Sequence, residues 1–411
     1  MDHSLTARNA ALRILAEARV QPALRIPLDD ALGHVLAHDV TSPVAIPAHT
    51  NSAMDGYACR AVDVRGKAPV TLRVVEQIPA GKMPERRIGA GECARIFTGA
   101  PLPEGADGVV RQEDTDLGAE VVTVLKDRDA GMNFRRAGED LAKGALALPA
   151  GTFLGPAELG VLASVAVGSP MVVRRPRVGI LASGDEIVDV DQPDAIISGK
   201  KIASSNTHTL IALVRLAGGE PVPLGIAKDT AASMREHLER AADCDLLVTS
   251  AGISVGEHDF VKPVLEEMGA EIRFWKLRMR PGAPVGFGML RDVPWIGLPG
   301  NPVSTMVTFE LFVRPAIRRM AGHAHPFRRS VPVRLGEPIK LGPKLQHFLR
   351  AVVSEGGEAR LTGPQGSGIL TSMVKANALL VIPEGQHETP AGAVVQAIPL
   401  HSPLHQAGPG F

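Results

Sequence analysis

The chain has 411 residues, 45% of them apolar, 21% charged and 3% aromatic, so more than one domain is expected, each with an aliphatic core. Lysine plus arginine balances aspartate plus glutamate at 44 each, which excludes a global field drawing the chain to nucleic acid or an anionic membrane and leaves only local anion sites. There is no run of ~20 apolar residues, no signal-peptide core and no C-x-x-C pair among Cys59, Cys93 and Cys244, so the expectation is a cytoplasmic protein without a zinc site.

Residues 4–18 predict an amphipathic helix, with Ser4 or Thr6 as candidate caps and Leu5, Ala11, Leu12 and Leu15 near one face. From residue 44 to about 148, short β-like runs (70–75, 93–97, 108–111, 121–125) alternate with turns containing glycine and proline, which predicts a compact β-rich insert. After Pro176, apolar runs alternate with helical segments (178–182, 207–217, 221–224, 230–242, 246–250, 295–298). That is the βαβ rhythm of a parallel, doubly wound sheet, closed by a helix over 303–320. Residues 328–405 return to short strands and predict a small all-β C-terminal domain.

Ligands of an open parallel sheet bind beyond the carboxyl ends of its strands, so the residues after each apolar run carry the functional reading. Three such ends stand out: Ser183-Gly184-Asp185-Glu186; Thr249 to Asp259, with Gly252, Ser254 and Gly256; and Pro299-Gly300-Asn301-Pro302-Val303-Ser304. Glycine there lets backbone approach a ligand, and free amides at a helix start can cradle phosphate; in a single loop the same residues only make a tight turn. Carboxylates beside a phosphate site commonly hold Mg²⁺, which makes Glu186, Asp229 and Asp259 candidates, although Asp229 before Thr230 could equally be a helix cap.

The cationic run 274–282 alternates in strand fashion and puts Lys276, Arg278 and Arg280 on one face, either to neutralise an oxyanion or as a solvated strand edge. The insert adds 51–57, with Asp55-Gly56 and the sole tyrosine Tyr57, then 97–101 with Thr98, and 135–140 with Asp140. Asp55-Gly56 could simply be a hairpin turn.

Taken together, six segments resemble the molybdopterin molybdotransferase (MoeA-type) family, whose relatives include the E domain of gephyrin: Asn-Ser-Ala-Met-Asp-Gly-Tyr-Ala (51–58), Ile-Phe-Thr-Gly-Ala-Pro (96–101), Ala-Gly-Glu-Asp (137–140), Ser-Gly-Asp-Glu (183–186), Ser-Val-Gly-Glu-His-Asp-Phe (254–260) and Gly-Leu-Pro-Gly-Asn-Pro-Val-Ser (297–304). The resemblance covers nearly the whole chain. It implies an α/β plus β multidomain fold: a linking domain at 19–44 with 146–176, a β-rich insert at 45–145, a molybdopterin-binding α/β domain at 177–325 with helix 4–18, and a C-terminal β domain at 326–411.

It also implies a homodimer that inserts molybdate into adenylylated molybdopterin with release of AMP, in a Mg²⁺-dependent step, with the active site between the sheet domain of one subunit and the insert of the other. Contact with the molybdopterin adenylyltransferase is a further implied partnership. By resemblance, Asp259 and Glu186 hold the metal, and Asp55, Asp140 and Asp229 are further site carboxylates. Thr98, Ser183, Gly184, Gly252, Ser254, Gly256, Pro299, Gly300, Asn301 and Pro302 bind substrate, and Lys276, Arg280, Ser304, Arg350 and Ser372 hold the molybdate. The chain departs from the family pattern at Ser204, where relatives commonly have Asp, at Arg280 in place of Lys, and at Ala251 in place of Gly. A scaffold that has lost turnover, or a molybdopterin adenylyltransferase, are the alternatives; the retained carboxylates speak against the first, and the insert and terminal domain against the second.

Overall fold

A computed structural model of the chain describes residues 5–253, 260–342 and 344–400. Helix α1 (Ala7–Glu17) starts on Thr6, whose hydroxyl accepts from the Asn9 amide at 3.2 Å, and buries Ala7, Ala10 and Ile14 on one face. The chain divides into two compact units, one made of Ile26–Leu32 and His38–Pro170 and the other of the rest. No helix among the described residues is long and apolar enough to cross a membrane.

The first unit is built on β1 (Gly56–Cys59), β2 (Val70–Ile78), β3 (Glu92–Ile96), β4 (Gly108–Arg111) and β5 (Val121–Val124), in the order β4-β1-β3-β2-β5. Both faces are covered: Tyr57, Cys59, Leu72, Cys93 and Val110 pack on one side, and Ala58, Ile78, Ala94, Ile96 and Val109 on the other. The two-residue alternation that sends Tyr57 and Ala58 to opposite faces is ordinary strand geometry. Gly56 has to be glycine, because a Cβ there would lie 2.0 Å from the Val110 carbonyl oxygen.

The second unit holds β6 (Arg177–Ser183), α2 (Ser205–Ala217), β7 (Glu220–Ala227), α3 (Ala231–Glu239), β8 (Leu246–Ser250), α4 (Val261–Glu267), β9 (Ala270–Lys276), β10 (Pro284–Leu290), β11 (Val293–Leu298) and α5 (Pro302–Thr308). Its sheet runs β7-β6-β8-β11-β10-β9. The first four strands are parallel, as the βαβ rhythm requires, while β10 is added antiparallel to β11 and β9 antiparallel to β10. Helices cover both faces: α1 and α2 pack on Val178, Ile180 and Val248, whereas α3 and α4 pack on Leu181 and Leu247. The edge strand β7 carries Pro221 and Pro223. After α5 the helix widens into a π-type segment, Phe309–Val313, before Arg314–Met320, so the helix expected over 303–320 exists but is not one regular coil.

The C-terminal strands β12 (Val331–Leu335), β13 (Gln346–Val353), β14 (Glu358–Leu361), β15 (Ala378–Ile382) and β16 (Val394–Pro399) run β13-β14-β12-β16-β15, and β15 pairs back onto β13, closing a barrel. The barrel is filled by Val333, Leu349, Ala351, Leu380 and Ala397. The short strand Met279–Arg280 lies parallel to β13.

Candidate functional site

The carboxyl ends of β6, β8 and β11 open on one cavity of about 500 Å³. Ser183 and Glu186 follow β6, Ala251, Gly252 and Ile253 follow β8, and Pro299, Gly300, Asn301 and Pro302 follow β11; all of these line the cavity. The fourth wall is the segment 202–206, which leads into the amino end of α2.

The loop after β8 turns through two left-handed residues, Ala251 at φ +74° and Gly252 at φ +70°. A Cβ on Gly252 would lie 2.3 Å from Val261 Cγ2, so only glycine fits there. Asn206 ties two walls together, because its side-chain amide donates to Ser250 Oγ at 2.9 Å and to the Gly300 carbonyl at 2.8 Å. Thr305 Oγ1 donates to the Pro299 carbonyl at 2.6 Å, and Trp295 Nε1 donates to Thr249 Oγ1 at 3.1 Å. The described parts of these loops are thus tied together by hydrogen bonds within the protein.

Asp185 and Asp229, at the ends of the neighbouring strands β6 and β7, are joined: the Asp185 amide donates to Asp229 Oδ2 at 3.2 Å and the Asp229 amide to Asp185 Oδ1 at 3.2 Å. The helix cap considered for Asp229 belongs to Thr230, whose hydroxyl accepts from the Ser233 amide. Lys201 Nζ donates to the Asp185 carbonyl at 2.5 Å. Asp259, Ser254 and Gly256 lie outside the described residues, and among the described residues no group of three His, Cys, Asp or Glu side chains converges tightly enough to hold a metal alone. What the cavity does present is an oxygen-donor set, Glu186 with the hydroxyls of Ser183, Ser204 and Ser250, which suits a hard cation such as Mg²⁺ shared with a phosphate.

A second hollow of about 400 Å³ is lined by Arg280, Lys340, His347, Arg350 and Gln365. Arg350 is fully buried. Its Nη2 donates to the carbonyls of Pro364 and Gly366, both at 3.1 Å, while Nε and Nη1 have no hydrogen-bond partner among the described residues. Burial pushes its guanidinium pKa down. A buried guanidinium that keeps unpartnered N–H donors beside a hollow has the chemistry to hold an oxyanion.

The cationic run 274–282 is not one strand: β9 ends at Lys276, and pairing resumes only at Met279–Arg280. Lys276 and Arg280 are exposed, whereas Arg278 is occupied by Glu384 at 2.9 Å. Ser304 and Ser372 are buried and do not line the hollow, and Ser372 Oγ donates to the Ile369 carbonyl at 2.6 Å.

In the other unit, Asp55 is no hairpin turn residue. It precedes β1, and its Oδ1 accepts from both the amide and the hydroxyl of Thr98, each at 2.8 Å. Those bonds, the amide's first, hold the Asp55 carboxyl below its ordinary pKa. Asp140 is exposed, its amide donating to the Ile46 carbonyl at 3.0 Å, on the loop that follows Phe134–Arg135, the partner of Asn51–Ser52.

Several lining residues carry little signal in the sequence. Asn206 is an amide ahead of an apolar helical run, which reads as a start signal and not as a brace between two distant loops. Lys340, His347 and Gln365 come from separate barrel segments, and only closure of the barrel assembles them with Arg280.

Comparison with known proteins places three family models end to end on the chain: "MoeA N-terminal region (domain I and II)" on residues 5–166, "Probable molybdopterin binding domain" on 179–319, and "MoeA C-terminal region (domain IV)" on 332–400. Molybdopterin molybdenumtransferase 2 of Mycobacterium tuberculosis is 37% identical over 395 residues, covering 93% of this chain and 97% of that protein. The molybdopterin molybdenumtransferase of a Nostoc species is 37% identical over 382 residues, covering 90% and 87%. The crystal structure of the molybdopterin biosynthesis moeA protein from Pyrococcus horikoshii superposes with a TM-score of 0.83 at 29% identity, covering 96% of this chain and 100% of that one.

Proposed function

This chain belongs to the MoeA family of molybdopterin molybdenumtransferases, and on that premise we propose that it acts in molybdenum cofactor biosynthesis, inserting molybdate into adenylylated molybdopterin with release of AMP. The observation that carries this reading is the single cavity onto which three strand ends and the start of α2 converge. In such a cavity, turns that bring backbone close to the guest suit a phosphorylated pterin better than an uncharged one.

Ser183, Gly184, Gly252 and Pro299 to Pro302 bind and orient the phosphorylated substrate, with Ser254 and Gly256 as further candidates. Glu186, with Asp259, is the proposed holder of Mg²⁺, which when bound neutralises charge developing on the phosphates. Asp229 fixes the loop that carries Glu186 through its bond to the Asp185 amide. Arg350 and Arg280 are the proposed holders of the molybdate dianion, the first through its Nε and Nη1 donors, with Lys276 as an additional candidate, whereas Ser304 and Ser372 are buried outside the lining of this hollow. Asp55, Thr98 and Asp140, on the other unit, are further candidate residues for the reaction. What the protein supplies is orientation of two anions and compensation of their charge.

The test is AMP release from adenylylated molybdopterin with and without molybdate. Molybdate-dependent release is the expected result. Absence of release, or consumption of ATP with molybdopterin instead, would overturn the reading.

A further inference from the structure

Arg95, on β3, contacts residues that flank both Asp55 and Thr98. Its Nη1 donates to the carbonyl of Gly56, the residue after Asp55, at 3.1 Å. Its Nη2 donates to Gln112 Oε1 at 2.6 Å, and the Gln112 amide in turn donates to the Asp55 carbonyl at 3.0 Å. The guanidinium carbon sits 4.9 Å from the ring centroid of Phe97, the residue before Thr98, and 5.0 Å from that of Tyr57, its cross-strand partner. One planar fork is thus locked between two aromatic faces while its two arms hold backbone and amide on either side of Asp55.

We infer that Arg95 is a positioning residue for the reaction: through Gly56, Gln112 and Phe97 it fixes where the Asp55 carboxylate and the Thr98 hydroxyl point, an inference that rests on the reading of Asp55 as a carboxylate acting on substrate. A side chain that only stabilised the sheet would need neither the second arm nor the link through Gln112 to the Asp55 carbonyl. Arg95 makes no hydrogen bond to Asp55 itself: apart from its charge, which adds a minor preference for the ionised carboxyl, it acts on Asp55 through its neighbours, and this separates it from the groups that meet substrate.

The experiment compares full-length R95M, R95K, D55N and the R95M/D55N double variant in molybdate-dependent AMP release from adenylylated molybdopterin, with kcat and KM resolved and melting temperatures recorded. R95M is expected to lower kcat/KM by roughly 10- to 100-fold, the usual effect of losing a partner that orients a reacting group. R95K recovers part of the loss, because an ammonium reaches one acceptor but cannot fork to two. The decisive arm is the double variant: if Arg95 acts through Asp55, R95M/D55N is no slower than D55N alone. A double variant slower than D55N by the full R95M factor, or R95M at wild-type turnover beside an impaired D55N, overturns the Arg95 inference and leaves Asp55 in place. D55N at wild-type turnover instead removes Asp55 from the reaction, and the role of Arg95 with it. Should R95M not fold, Q112L severs one arm alone and takes its place in the same cycle.

Discussion

Asp185 and Asp229 each accept a hydrogen bond from the other's backbone amide, at 3.2 Å in both directions. This reciprocal clasp joins the ends of two adjacent parallel strands and fixes the turn that carries Glu186. Removing one carboxylate opens it. D229A is expected to lower kcat/KM for AMP release about tenfold, with stability changed by no more than about 0.5 kcal/mol because the clasp is at the surface. D229N, which keeps an acceptor oxygen, should lose less. Equal losses in the two variants would show that charge at Asp229, and not the clasp, is what matters.

Glu186 lines the cavity and is exposed, so E186Q should fold normally. Its expected defect is in cation binding. Mg²⁺ at 100 times its Kd stabilises a protein that binds it by about 2.7 kcal/mol, seen as a rise in melting temperature. E186Q should lose most of that rise together with AMP release, and D259N should behave alike. A Mg²⁺-induced shift that survives E186Q intact would take Glu186 out of the cation site.

Arg350 sets function against stability. Its buried, partly unpartnered guanidinium costs on the order of 1–3 kcal/mol, which an apolar side chain of similar length does not incur. R350M is therefore expected to match or exceed the wild type in melting temperature while the molybdate concentration for half-maximal AMP release rises at least about tenfold. R350K, charged but without the fork, should fall between them. A variant both unstable and normal in molybdate response would contradict the assignment.

The pH response of Asp55 follows from Thr98. Two hydrogen bonds from Thr98 favour the ionised carboxyl and depress its pKa, so the charged form persists as the medium is acidified. T98A removes the hydroxyl bond and lets that pKa rise toward its ordinary value. The acid limb of the rate profile should then shift to higher pH, while the rate near neutrality changes less. The associated stability is present above the unfolded-state pKa and is lost as pH falls through the folded one, so T98A should also begin to lose stability at a higher pH. Superimposable acid limbs would dissociate Asp55 ionisation from turnover.

The parallel half of the sheet is legible because its strands are continuous apolar runs: Leu246–Ser250 falls on the expected residues, and the loops after β6, β8 and β11 meet where strand-end reasoning places a ligand. The antiparallel pair β10–β11 is not legible. Its turn is Arg291-Asp292, with Arg291 at φ +56°, and neither the Asn-Gly nor the Asp-Gly signature of a two-residue hairpin is present. Likewise Ala251 occupies a left-handed conformation that a reader of the sequence would assign to glycine. The anion hollow is opaque for another reason: Arg280, His347 and Gln365 acquire a common wall only once the barrel closes and Met279–Arg280 docks beside β13.

The two prolines of β7 have a consequence beyond the site. Pro221 and Pro223 sit on the outermost strand of the sheet, where a row of amide donors would otherwise invite a strand from a neighbouring molecule. Lacking those hydrogens, this margin offers a neighbouring strand two donors fewer, which disfavours aggregation by extension of the sheet along that border.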